Sequence, residues 1–198
     1  FECSPMSTAT TTMREVLIDG QWRNANHEKT FQAFDPNENR SLAPDFPISD
    51  WSDCEEALDA ARAGFTEAGA GAYVIEETIR RCEWLLYSRK WEEAFNLALT
   101  TIDENEAVEG TEVSRASLQR LAAYAKAALG EHDAACEHVH ASLELARTAA
   151  SDYEIAQTLE AAQRIDGADP ARDQSEEELM HKLGIVMRPW LPLSLGES

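Results

Sequence analysis

The sequence predicts a mainly α-helical protein: an array of paired helices preceded by a small segment of β-hairpin and helix. Three observations predict it. From Tyr73 onward, apolar residues recur at steps of three and four, the period of a helix with one buried face. "SRKWEEAFNLALTTI" (88 to 102) lies over "LGEHDAACEHVHASL" (129 to 143) at an offset of 41, so the helical part repeats. Before residue 49 the chain is instead punctuated by Asp-Gly, Asp-Pro-Asn and further prolines, the residues of turns and edge strands.

Residues 1 to 12 are set aside as a disordered or artefactual N-terminus, with Met6 or Met13 the expected start. The first structured part is expected over 13 to 66. In it Val16, Leu17, Ile18 and Trp22 flank Asp19-Gly20, and Asp-Gly suits a two-residue type I′ turn because both central positions need positive φ. Phe31 to Phe34 reads as a strand, Asp35-Pro36-Asn37 as a turn, and the chain then runs extended to Ile48. At "SDWSDCEEALDAARAGF" the period changes. Ser49, Asp50 or Ser52 can cap a helix, Glu55 and Glu56 suit its first turn, and Ala57, Leu58, Ala61 and Phe65 make one apolar face.

"EAGAGAY" (67 to 73) follows a helix rather than a strand and lacks the G-x-G-x-x-G spacing of a phosphate-binding loop. Residues 67 to 72 are therefore expected to be a linker. The repeat domain is expected over 73 to 188, with a flexible tail at 189 to 198. Its six helices carry Ile75, Ile79, Cys82 and Leu86; Trp91, Ala94, Ala98 and Ile102; Leu118, Leu121 and Ala125; Ala135, Val139 and Leu143; Ile155, Leu159 and Ala162; and Leu179, Leu183 and Val186. Breaks fall at Arg89-Lys90, "DENEAVEG", "GEHD", "TAASD" and "IDGADP". The 41-residue offset places Ala94 on Ala135, Ala98 on Val139, Thr101 on Ser142 and Ile102 on Leu143. A small residue at the first position lets the helices of a pair approach, and the later ones fill the groove.

The net charge is −20, −8 from residues 1 to 70 (5 basic, 13 acidic) and −12 from the rest (12 basic, 24 acidic). Spread acidity of this size repels phosphate backbones, so no nucleic-acid partner is expected. No run of apolar residues is long enough for a membrane helix, and a cytoplasmic location is expected by default. Cys3, Cys54, Cys82 and Cys136 form no C-x-x-C pair, and His138 and His140 point to different sides of a helix, so neither a metal nor a cofactor is expected. Cys82 and Cys136 read as buried free thiols on apolar helical faces.

"LGEHDAA…ASLELA", with Gly130 at a turn between helices and Ala135 at a small-residue position, is similar to the tetratricopeptide repeat. Over about residues 73 to 190 the chain resembles the C-terminal repeats of large bacterial multidomain regulators. That resemblance implies a protein–protein interaction or scaffolding module with no catalysis of its own, which presents the first helix of each pair to a protein or peptide. Arg80, Glu83, Tyr87, Arg120, Tyr124 and Gln157 lie on those first helices, and Arg80, Arg120, Tyr124 and Lys126 are the candidate peptide-groove residues. First helices rich in Arg and Lys suggest an acidic peptide or a terminal carboxylate as the occupant.

Residues 14 to 65, with "REVLIDGQWRN", "DPNENR", "DFPIS" and "DCEEALDAARAGF", resemble the N-terminal segment of the aldehyde dehydrogenase superfamily. In that family the segment is structural, and its catalytic Cys, general-base Glu and nicotinamide-binding elements lie elsewhere, so no residue here inherits a catalytic role. The alternative reading is therefore a fragment of an NAD(P)-dependent (semi)aldehyde dehydrogenase, inactive alone. The two parts read as a fusion or as a join made in gene prediction.

Overall fold

The computed structural model describes residues 13–166 and 176–184. Expectations for residues 1 to 12, for Val186 and for the 189 to 198 tail lie outside them. The chain divides into two compact units, 1–63 and 64–198.

In the first unit β1 (Val16–Ile18) pairs antiparallel with β2 (Gln21–Arg23). Asp19 and Gly20 take φ of 50° and 71°, the type I′ geometry their identities predict. A second hairpin joins β3 (His27–Asp35) to β4 (Arg40–Ser49), and Asp35 Oδ1 accepts from the Asn37 amide at 2.8 Å to close its turn. The register jumps from Gln32↔Asp45 to Ala33↔Leu42, so Ala43 and Pro44 bulge out where the missing proline N–H costs no ladder bond. α1 (Trp51–Glu67) follows. Asp50 caps it, its Oδ1 accepting from the amides of Ser52 (3.0 Å) and Asp53 (3.3 Å), and the Ser52 hydroxyl bond above all holds its carboxyl below the usual range.

The second unit contains α2 (Gly71–Tyr87), α3 (Trp91–Glu104), α4 (Glu112–Ala128), α5 (His132–Thr148), α6 (Asp152–Asp166) and α7 (Glu176–Lys182). Each packs on the next, and α2, α4 and α6 also pack on one another through α4. One device repeats between them. In the turns 68–70, 88–90, 129–131 and 149–151 the middle residue is left-handed (Gly69 65°, Arg89 59°, Gly130 81°, Ala150 50°). The last residue of each turn donates back five positions: Ala70 to Phe65, Lys90 to Leu85, Glu131 to Lys126 and Ser151 to Ala146, each at 2.9 to 3.0 Å. These are Schellman ends, which satisfy the last helical carbonyls and reverse the chain within three residues. With Gly110 (82°) in the longer 105–111 connection, left-handed positions fall at 69, 89, 110, 130 and 150, a spacing of 20 or 21 that halves the 41-residue repeat.

The linker expected at 67 to 72 takes the form of a short turn. α1 runs through Glu67 and α2 begins at Gly71, so this stretch is one of the repeated turns, and its glycine supplies the left-handed cap. The apolar face predicted for α1 is not enclosed. Its buried residue is Asp53, while Leu58, Ala61 and Phe65 are half-buried and Ala57 is exposed.

All eight residues aligned by the 41-residue offset are buried: Ala94, Ala98, Thr101, Ile102, Ala135, Val139, Ser142 and Leu143. Cys82, also buried, lies against α3 with its Sγ 3.8 Å from the Ala94 carbonyl, and burial pushes its thiol up to about 12. Cys136 corrects the expectation of two buried thiols, being half-buried on α5. Among the described residues, no helix is long and apolar enough to cross a membrane, and no three His, Cys, Asp or Glu stand where they could share a metal ion.

Candidate functional site

A cleft of about 440 Å3 opens where α2, α4 and α6 meet. Helical spacing builds its walls. Ile79, Arg80, Glu83 and Tyr87 are successive residues of one α2 face, Ser117, Arg120 and Tyr124 of one α4 face, and Tyr153, Glu154 and Gln157 come from the start of α6. Six positions singled out from the sequence line it together: Arg80, Glu83, Tyr87, Arg120, Tyr124 and Gln157.

Lys126 does not line it. Two residues on from Tyr124 the α4 helix has turned its side chain away, and Lys126 Nζ stands 2.7 Å from Glu131 and 4.2 Å from the centre of the Phe95 ring. There it adjoins His138, whose imidazole is held below its usual range by burial first and by Lys126 second. His138 Nδ1 is 2.7 Å from Gln119 Oε1, a fixed position inside the packing of α4 and α5.

The arginines expected to be available to an acidic ligand are already committed. Arg80 Nη1 donates to both Glu83 oxygens at 2.8 and 2.9 Å, and Arg120 Nη2 lies 3.2 Å from Glu154 Oε2. The Tyr124 hydroxyl donates to Glu160 Oε2 at 2.7 Å, with Arg164 5.5 Å above its ring. Burial first, and then Glu160, raises the Tyr124 phenol above its ordinary value. Arg120 and Tyr124 thus tie α4 to α6. Sequence reasoning missed these ties because partners 34 and 36 residues apart follow no helical spacing.

Three lining positions leave polar capacity open. Glu76 stands among three lining carboxylates faced by two lining guanidiniums, both of which pair elsewhere, and its one hydrogen bond among the described residues is a long 3.5 Å contact from Ser114. The Ser117 hydroxyl and the Gln157 carboxamide, both on buried residues, make no hydrogen bond among the described residues. The signal for Glu76, Ser117 and Tyr153 lay in the first helices themselves. Offsets of 37 from α2 to α4 and 40 from α4 to α6 superpose Glu76, Val113 and Tyr153, and also Arg80, Ser117 and Gln157, and all six line the cleft.

No protein-family model, no curated protein and no solved structure matches the chain. The cleft rests on its own geometry.

Proposed function

We propose that the helical unit is a protein–protein interaction module, built on repeats similar to the tetratricopeptide repeat, that holds a peptide segment of a partner in the cleft between α2, α4 and α6. The observation that carries this reading is the convergence of three first helices on one cleft whose walls mix tyrosine rings with polar groups that no described residue hydrogen-bonds. Tyrosines give contact area at low entropic cost, and unused amides and hydroxyls match the donors and acceptors of an extended backbone. A scaffold of short Schellman turns holds these groups in place before any ligand arrives, which lowers the ordering cost of binding.

Displayed random peptides selected on the whole chain test the reading. Selected sequences should bind the native chain and lose about tenfold or more in affinity when Ser117→Arg fills the cleft, the size of loss expected when a central contact is blocked. Peptides that bind native and filled chains equally would place recognition elsewhere and reject the module at this cleft.

A further inference from the structure

The charges of the cleft specify more than a peptide. Of its five lining charges, Arg80 is paired to Glu83 and Arg120 to Glu154, which leaves the exposed Glu76 carboxylate without an ion pair among the described residues. The local balance is therefore one negative charge, inside a protein of net charge −20. Within the long-range field of the chain an incoming anion is repelled and a cation drawn in.

An independent observation comes from Gln157. It is only 7% exposed, it lines the cleft, and its carboxamide has no hydrogen-bond partner among the described residues. An amide that opens on a cleft can exchange water for a ligand group, and the group that best satisfies both its donor and its acceptor is another amide. Ser117, one position over in the same superposed row, offers a hydroxyl beside it.

We infer that the cleft takes an extended segment of a partner protein bearing a lysine or arginine, with Gln157 and Ser117 hydrogen-bonding the segment's backbone and Glu76 receiving its cationic side chain. This rests on the peptide-binding reading above and reverses the charge preference expected from the sequence, because the arginines that suggested an acidic ligand are held by Glu83 and Glu154. Arg80, exposed one turn of α2 from Glu76 and paired to Glu83, stands among the same carboxylates, so the incoming cation joins an existing alternation of charge instead of facing an unscreened acidic patch.

Three short fluorescent peptide libraries, alike except for a central position fixed as Lys, Glu or Leu, are titrated with the full chain at low and high salt. The Lys library should bind about threefold more tightly than the Leu library at low salt, the yield of one exposed ion pair, and lose that advantage as salt rises. Glu76→Gln should erase the Lys advantage and leave Leu binding unchanged. Gln157→Ala should weaken all three libraries together by about three- to tenfold, the worth of one or two neutral hydrogen bonds, with the far-ultraviolet circular dichroism retained. A preference for Glu, or for Lys that survives Glu76→Gln, overturns the cationic inference while leaving the module standing. Unchanged binding in Gln157→Ala overturns the backbone contact, and the absence of binding by any library overturns both the inference and the module.

Discussion

Among the described residues of the hairpin unit the one most completely removed from solvent is a carboxylate, Asp53, with Ile18 and Ala25 the only buried apolar residues, whereas in the helical unit Cys82, Ala98, Leu118, Ala123 and Ala156 are all sealed from water. Asp53 accepts from the Asn26 amide at 2.9 Å and the Asn26 side chain at 3.3 Å and lies 3.0 Å from Arg23 Nη2. Meanwhile Leu17, Trp22, Phe31, Phe34, Ile48 and Trp51 stay about half exposed or more. One unit is pinned by directional bonds to a single side chain. The other is closed by many interchangeable apolar contacts, in which α4, α5, α6 and α7 share one cluster through Ala116, Leu143, Ile155, Leu159 and Leu179. The difference teaches where each unit is vulnerable: a polar pin fails when one partner is removed, and a packed core fails in proportion to the volume lost.

The largest expected effect follows from the second mode. Leu118→Ala, at a fully buried site on the central helix α4, should cost about 3 kcal/mol, read as a lower urea midpoint of the helical signal. A loss within the range of an exposed substitution would show that α4 is not the core. Next comes the pin. Asp53→Ala should cost about 2 kcal/mol by stranding the Asn26 amide and leaving Arg23 to Glu56 alone, with the Asn26 amide exchanging faster and the helical urea midpoint unmoved. A shift in both units would erase the distinction drawn between them.

Much of this comparison was legible in the sequence, because local signals decide local structure. Asp19-Gly20 made its hairpin, and the 41-residue offset picked out eight positions that are all buried. Asp53 was not legible as a pin. It stands in the first turn of a helix, where an acidic residue is ordinary, and nothing local announces that Asn26 and Arg23, about thirty residues upstream, converge on it. The cleft was half legible for the same reason. Helical period placed Arg80, Arg120 and Tyr124 on the inner face, but the carboxylates that occupy Arg120 and Tyr124 come from the next first helix and follow no spacing within their own. Lys126 was misplaced because a side chain two residues along a helix has moved to another face. The form of the linker was not legible, because the glycine that breaks one helix also caps it.

The smallest expected effect lies in the repeated turns. Arg89 and Ala150 hold the same left-handed position that glycine holds at 69 and 130, and a non-glycine residue there costs about 1–2 kcal/mol. Relief of that cost outweighs the extra entropy glycine loses on folding, so Arg89→Gly and Ala150→Gly should each stabilise the helical unit by about 0.5 kcal/mol, and Gly130→Ala should destabilise it by about 1 kcal/mol. Chemical denaturation of the three variants checks the signs, and a destabilising Ala150→Gly would mean the turns are not equivalent.

Native-state hydrogen exchange, resolved by residue across the whole chain, tests most directly the claim that the two units are held by different means. Amides of α4 and α5 should exchange most slowly and together, the β1 to β4 amides should exchange much faster, and the slowest hairpin-unit amide should be that of Asn26, bonded to Asp53. Strand amides as slow as those of α4, or an Asn26 amide no slower than its neighbours, would contradict that claim.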